Sequence, residues 1–184
     1  MPTDMRPAAR RVMAARRILI LGSSGAGKSR FAKRLCSLLG TEPLHLDALF
    51  WRPGGRPSPQ SEWRLRLADL VQRDAWVMDG TYESTLDLRL PRAQAILYLE
   101  ESRMTCLWRV LCRTARPSES HGQRVDLGLA RYIWRFPTVT RCQVLALIRE
   151  NHRDEALLML RGSKQTSAFL CALELESGQA PPAE

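Results

Sequence analysis

Apolar strand-like runs that alternate with helical patterns, and a glycine-rich turn set between the first run and the first helix, predict a three-layer α/β/α fold. A parallel five-stranded sheet fits the number and order of those runs, and a helical lid is expected from the spacing of the arginines beyond the fourth run. The chain has 184 residues, 45% of them hydrophobic, which suits one domain able to bury a proper core. In chain order, residues 1–16 mix Pro, Ala and Arg without a clear period and are expected to form a flexible basic arm. A single domain spans 17–176, and Ser177–Glu184 reads as a frayed tail.

Ile18–Leu21 is the first strand, and the helix Lys28–Leu39 follows with Phe31, Leu35, Leu38 and Leu39 on the face a sheet would cover. Leu44–Leu46 supplies a second strand and Trp51–Pro57 a loop, with a helix over Glu62–Arg73 whose stripe is Trp63, Leu67, Leu70 and Val71. Trp76–Met78 and Ala95–Leu99 are the third and fourth strands. A helix capped by Ser102 runs over Arg103–Thr114, and after the polar loop Arg116–Arg124 the helical pattern resumes at Leu127 and breaks at Pro137. Ala156–Leu160 completes the sheet, and Ser163 begins a last short helix. Trp108 and Trp134 are expected in the core.

Composition limits the function classes. Cys36, Cys106, Cys112, Cys142 and Cys171 form no CxxC pair and read as reduced, buried cysteines of a cytoplasmic protein, without disulfide or zinc. No apolar run approaches the ~20 residues that cross a bilayer. Net charge is +9, carried by 25 arginines and three lysines. Arginine's planar fork suits phosphorylated ligands, and nucleic acid is a further partner to weigh, though no DNA-reading motif is visible.

The sharpest motif is Gly22-Ser23-Ser24-Gly25-Ala26-Gly27-Lys28-Ser29, which fits GxxxxGK[ST] directly after a strand and before a helix. Consecutive backbone N–H groups can curl around a phosphate there, aided by the positive helix N-terminus. Lys28 is expected to bridge the terminal phosphates of ATP, with GTP as the alternative, and the Ser29 hydroxyl to ligate Mg2+. The fold is therefore expected to be of the P-loop NTPase type. Asp79 ends the third strand at the sheet edge where ligands bind, and is expected to hold Mg2+ through water, with Glu100 as a third acid. Asp47 ends the second strand, where a carboxylate could orient or deprotonate an acceptor hydroxyl or could simply cap a helix.

Arg109, Arg113 and Arg116 recur at i, i+4, i+7, and Arg131 and Arg135 repeat the spacing across the polar loop. Such arginines could close over a triphosphate as a lid of about 113–131, or could form a solvated basic face. Arg52, just past Asp47, lies where a substrate could meet it, within an acceptor segment of about 47–75. His45, His121 and His152 show no catalytic or metal-ligand spacing.

The sequence resembles the adenylate-kinase-like P-loop proteins, and within them the small bacterial group known as DNA topology modulation proteins. The carrying segments are Ile18–Ser29, His45–Gly54, Trp76–Tyr82, Thr85–Leu90 and Tyr132–Pro137. The resemblance implies a parallel sheet with helices on both faces, an acceptor-binding segment after the second strand and an arginine-bearing lid. It matches Asp79-Gly80 to the Asp-Gly of nucleoside monophosphate kinases, Arg109 and Arg113 to lid arginines, and Arg161-Gly162-Ser163 to the loop that approaches the nucleotide base. In those kinases Phe-Pro-Arg commonly follows the Asp-Gly. Here Thr81-Tyr82-Glu83 stands instead, which argues against adenylate kinase activity and leaves Arg89 as the candidate for an acceptor phosphate. The expected activity is transfer of the γ-phosphoryl group of ATP to a small acceptor, by Lys28, Asp47, Arg109 and Arg113, with Asp47, Arg52, Arg89 and Arg135 toward the acceptor. The alternative is a basic, nucleotide-dependent, DNA-associated regulatory ATPase.

Overall fold

The structure is a computed structural model that describes residues 5–114 and 127–178. The expected lid loop Arg116–Arg124 lies outside the described residues, as does the Arg113 side chain.

Five parallel strands form the sheet: β1 (Arg17–Gly22), β2 (Pro43–His45), β5 (Trp76–Asp79), β6 (Ala95–Glu100) and β7 (Leu157–Arg161), in the spatial order β2-β5-β1-β6-β7. Period-two alternation sorts β1 between two cores. Ile18 and Ile20 face one side with Val77, Leu97 and Leu99, where α2 (Lys28–Leu39) and α9 (Gly162–Ser177) bring Phe31, Leu35 and Phe169. Leu19 and Leu21 face the other with Met78 and Ile96, covered by Trp63 and Leu67 of α4 (Gln60–Leu70) and by Val144 and Ile148 of α8 (Thr140–Glu150). Helices therefore cover both faces, the three-layer arrangement the alternating runs predict.

Several expectations need correction. Residues 6–14 are a helix, α1 (Arg6–Ala14), where the sequence suggests a flexible arm; Pro7 stands in its first turn, and Ala9 and Val12 pack into the core beside α9. A buried stripe two residues wide is too thin a pattern to show among three arginines and three alanines. Leu46 is not in a strand but starts α3 (Leu46–Phe50). The loop after it contains a small antiparallel ribbon, β3 (Trp51–Arg52) with β4 (Arg56–Pro57). The last helix, α9, runs 16 residues and takes in Ser177 at its end.

Three of the five cysteines, Cys112, Cys142 and Cys171, are exposed, while Cys36 and Cys106 are buried; burial pushes the Cys36 thiol up to about 12. Trp108 and Trp134 are also exposed, on the outer sides of α6 (Arg103–Thr114) and α7 (Leu127–Arg135). In both helices the opposite side carries the buried residues, Cys106 and Val110 in α6, Leu129 and Ile133 in α7. Ser102 caps α6 as expected, its Oγ accepting from the Thr105 N–H at 3.1 Å.

Candidate active site

The turn from β1 into α2 is built for close approach of backbone to backbone. Gly25 has φ +81, and a Cβ there would stand 2.4 Å from the Cys106 carbonyl oxygen of α6. Only glycine permits both the conformation and the contact. Lys28 folds back over this turn, its Nζ donating to the Ser23 carbonyl at 2.9 Å. Ser29 follows on the exposed first turn of α2.

The strand after next closes the other side. Asp79 ends β5 in register with Ile20 of β1 and His45 of β2, so all three meet at the carboxyl edge of the sheet. Its carboxylate is buried and accepts from the His45 ring, Nδ1 to Oδ1 at 2.8 Å. That hydrogen bond raises the His45 pKa above its usual value, against the opposing effect of burial. His45 was not expected to act; the signal was present, since both residues end adjacent strands. Thr81 ties the next loop to the glycine-rich turn by a reciprocal pair, its Oγ1 accepting from the Gly22 N–H at 3.1 Å and donating to the Gly22 carbonyl at 2.8 Å.

Tyr82 has φ 36 and ψ 66, a left-handed conformation rare for a bulky residue. Arg89 holds it. Its guanidinium, with no exposed surface, donates to the carbonyls of Gly80 (3.0 Å), Thr81 (2.5 Å), Tyr82 (2.8 Å) and Thr85 (3.4 Å). Arg89 is thus a strut inside the protein and not a ligand for an acceptor phosphate. Burial pushes its pKa down, and the carbonyl acceptors offset that cost. The Tyr82 hydroxyl donates to Asp47 Oδ1 at 2.6 Å, and the rings of Phe50 and Trp63 pack against the Tyr82 ring at 4.9 and 5.3 Å.

These elements enclose a cleft of about 520 Å3. Gly22, Ser24 and Lys28 line it from the glycine turn and the start of α2, Asp47, Trp51, Tyr82 and Glu83 from the segments that follow β2 and β5, and Leu129 and Tyr132 from α7. Sequence reasoning brought Lys28 and Asp47 here, and missed the lining roles of Trp51, Tyr82, Glu83 and Tyr132. Burial, then the charges of Glu83 and Asp47, push the Tyr132 phenol up, which places both carboxylates near it.

Arg109 spans the glycine turn and the start of α9, donating to the Gly25 carbonyl at 3.3 Å and to Ser163 Oγ at 3.0 Å, with Glu101 at 3.4 Å. It therefore brings together the Gly22–Ser29 turn and the Gly162 loop. Arg52 is on the exposed ribbon and pairs with Glu62. Arg135, one turn past Tyr132, is exposed and does not line the cleft. Glu100 is engaged by Arg141 (2.7 Å) and Arg161 (3.2 Å) and borders a separate cavity of about 450 Å3.

Comparison with known proteins rests on structure. No family model matches the chain, and no curated protein matches it by sequence. Among solved structures, a shikimate kinase from Acinetobacter baumannii in complex with shikimate superposes with a TM-score of 0.55 at 15% identity, over 92% of this chain and 97% of the other. A gluconokinase from Sinorhizobium meliloti gives 0.53 at 16%, over 88% and 93%. A sugar kinase from Janibacter gives 0.51 at 18%, over 90% and 96%. The likeness establishes a P-loop kinase-like fold.

Proposed function

We propose that the protein is a phosphotransferase that moves the γ-phosphoryl group of ATP to a hydroxyl of a small acceptor. The observation that carries this reading is that Lys28 and Asp47 line one cleft, with Tyr82 holding the carboxylate. Lys28 and the backbone N–H groups of Gly22–Ser29 take the triphosphate. Asp47 Oδ1 accepts from Tyr82, and the carboxylate orients the acceptor hydroxyl and takes its proton. The acceptor oxygen bonds to the γ-phosphorus, the bond from that phosphorus to the β–γ bridging oxygen breaks, and ADP leaves. Arg109, at the carbonyl of Gly25, supplies charge to the transferring group, and Arg113 is assigned the same role on its i, i+4 spacing in the sequence.

The donor set fits Mg2+. Ser29 offers a hydroxyl at the first turn of α2, and Asp79 a carboxylate at the adjoining strand end, hard oxygen ligands in the small number that this ion takes while keeping several waters. Bound there, Mg2+ would neutralise charge on the β- and γ-phosphates.

The membership suggested by sequence, in the DNA topology modulation group, is compatible with this chemistry. The alternative, a DNA-associated regulator working through a flexible basic arm, is less well supported, because residues 6–14 are a helix whose Arg10 pairs with Glu176 at 2.8 Å and whose Arg11 donates to the Glu155 carbonyl at 3.4 Å.

Acceptor-stimulated ADP formation across nucleosides, sugars and hydroxy acids tests the reading, with Lys28→Ala as the control that binds ATP weakly and does not turn over. Parent-like ATP affinity and rate in a folded Lys28→Ala protein would remove it.

A further inference from the structure

The acceptor wall of the cleft has a distinctive chemistry. Two carboxylates, Asp47 and Glu83, and two aromatic side chains, Trp51 and Tyr82, line it, and Tyr132 joins them in the cleft from α7. The one cation among the described lining residues is Lys28, on the triphosphate wall. The arginines that sequence placed toward the acceptor are occupied or set apart: Arg89 is spent on four carbonyls, Arg52 pairs with Glu62, and Arg135 does not line the cleft.

The two carboxylates have different relations to the chemistry. Asp47 is fixed by the Tyr82 hydroxyl and stands ready for the acceptor hydroxyl. Glu83, half-buried on the turn after Tyr82, has no task in phosphoryl transfer, yet it contributes negative charge to the same space. Arg89 clamps the Tyr82 carbonyl next to it, so the position of Glu83 is set by the frame that sets Tyr82. Negative charge beside aromatic side chains favours a cation, by direct attraction and, where a ring face is presented, by the ring quadrupole. A carboxylate or phosphate monoester in that place would meet like charge.

Resting on the phosphotransferase reading, we infer that the acceptor is an alcohol bearing a protonated amine, of the amino-sugar or amino-alcohol class, held by Glu83 and the aromatic side chains while Asp47 addresses its hydroxyl. The structural neighbours include a kinase solved with shikimate, itself a carboxylate. The likeness in fold therefore does not carry over to the acceptor's charge.

Two matched sets test the inference: glucosamine, glucose and gluconate, and serinol, glycerol and glycerate. Each compound is measured twice on the full chain, for ADP formation with ATP and Mg2+, and for binding by calorimetry with a non-hydrolysable ATP analogue present. In both sets the order should be amine, then neutral alcohol, then acid, with at least about a tenfold advantage of amine over acid. Glu83→Gln should shrink that advantage several-fold while leaving affinity for the ATP analogue unchanged. An acid that equals or exceeds its amine, binding by none of the six, or an unchanged ratio in folded Glu83→Gln protein overturns the inference. Amine-first binding without any turnover instead supports the ligand class and removes the phosphotransferase reading.

Discussion

The Tyr82 hydroxyl and Asp47 Oδ1 are 2.6 Å apart, and the residue that makes this contact is held in a left-handed backbone conformation by a fully buried arginine. A strained residue at a cleft wall persists only where its surroundings over-determine it. Here Arg89 fixes the backbone and Phe50 and Trp63 fix the ring, so the orientation of Asp47 is set from behind.

Tyr82→Phe tests that relation. The ring packing survives, while Asp47 loses a hydrogen bond to a charged group, an interaction of about 1.5–3 kcal/mol. Turnover should fall by about tenfold or more with the KM for ATP little changed. A Tyr82→Phe enzyme with the parent's kcat would show that Asp47 is oriented without it.

Arg89 has the opposite profile, since it does not itself line the cleft and acts from behind it, through the carbonyls of Gly80, Thr81 and Tyr82. Arg89→Ala leaves several buried carbonyls without a donor, and the expected loss is about 3–5 kcal/mol of stability, read from the urea midpoint. Arg89→Lys keeps the charge but loses the fork, and should recover only part of it. A midpoint within experimental scatter of the parent for Arg89→Ala would refute the role of a strut.

Why Arg89 could be mistaken for a ligand is instructive. Its number of N–H donors suits a phosphate and a cluster of carbonyls equally, and sequence spacing cannot tell the two apart. What was legible came from period and motif. The alternation of Ile18, Leu19, Ile20 and Leu21 between two cores followed from the strand pattern, Lys28 was placed by the glycine-rich motif, and Asp47 by its position after the second strand. The lining residues Glu83 and Tyr132 were not legible, because they enter the cleft from a loop and from α7, 49 residues apart in sequence. Trp108 and Trp134 failed for another reason: α6 and α7 carry large apolar residues on both sides, so hydrophobicity alone could not choose the buried one.

The His45–Asp79 pair predicts a pH dependence of stability. The folded pKa of His45 is raised above its ordinary 6.5, chiefly by the hydrogen bond to Asp79. The folded state therefore holds the proton more tightly than the unfolded chain. The contribution is fully present below pH 6.5 and is lost as pH rises through the folded value. Urea unfolding of the protein in chelator, repeated from acidic to alkaline pH, should show stability declining across that window, and His45→Asn should flatten the decline. Identical slopes for parent and variant would show that the pair does not raise the His45 pKa above its unfolded value.

Arg109 supports the last prediction. It joins the Gly25 carbonyl, Ser163 and Glu101, so it can act as a tie between the glycine turn and α9 or as a charge for the transferring group. The two roles separate in kinetics. A tie would affect ATP affinity and stability together, whereas a guanidinium aimed at developing phosphoryl charge would affect kcat, because that charge is greatest in the transition state. Arg109→Ala should lower kcat by about a hundredfold and raise the KM for ATP by only a few-fold. Arg109→Lys should restore little, since a point charge replaces a planar fork. If kcat holds and only KM and the melting temperature change, Arg109 is a tie, and the charge on the transferring group must come from elsewhere on the protein.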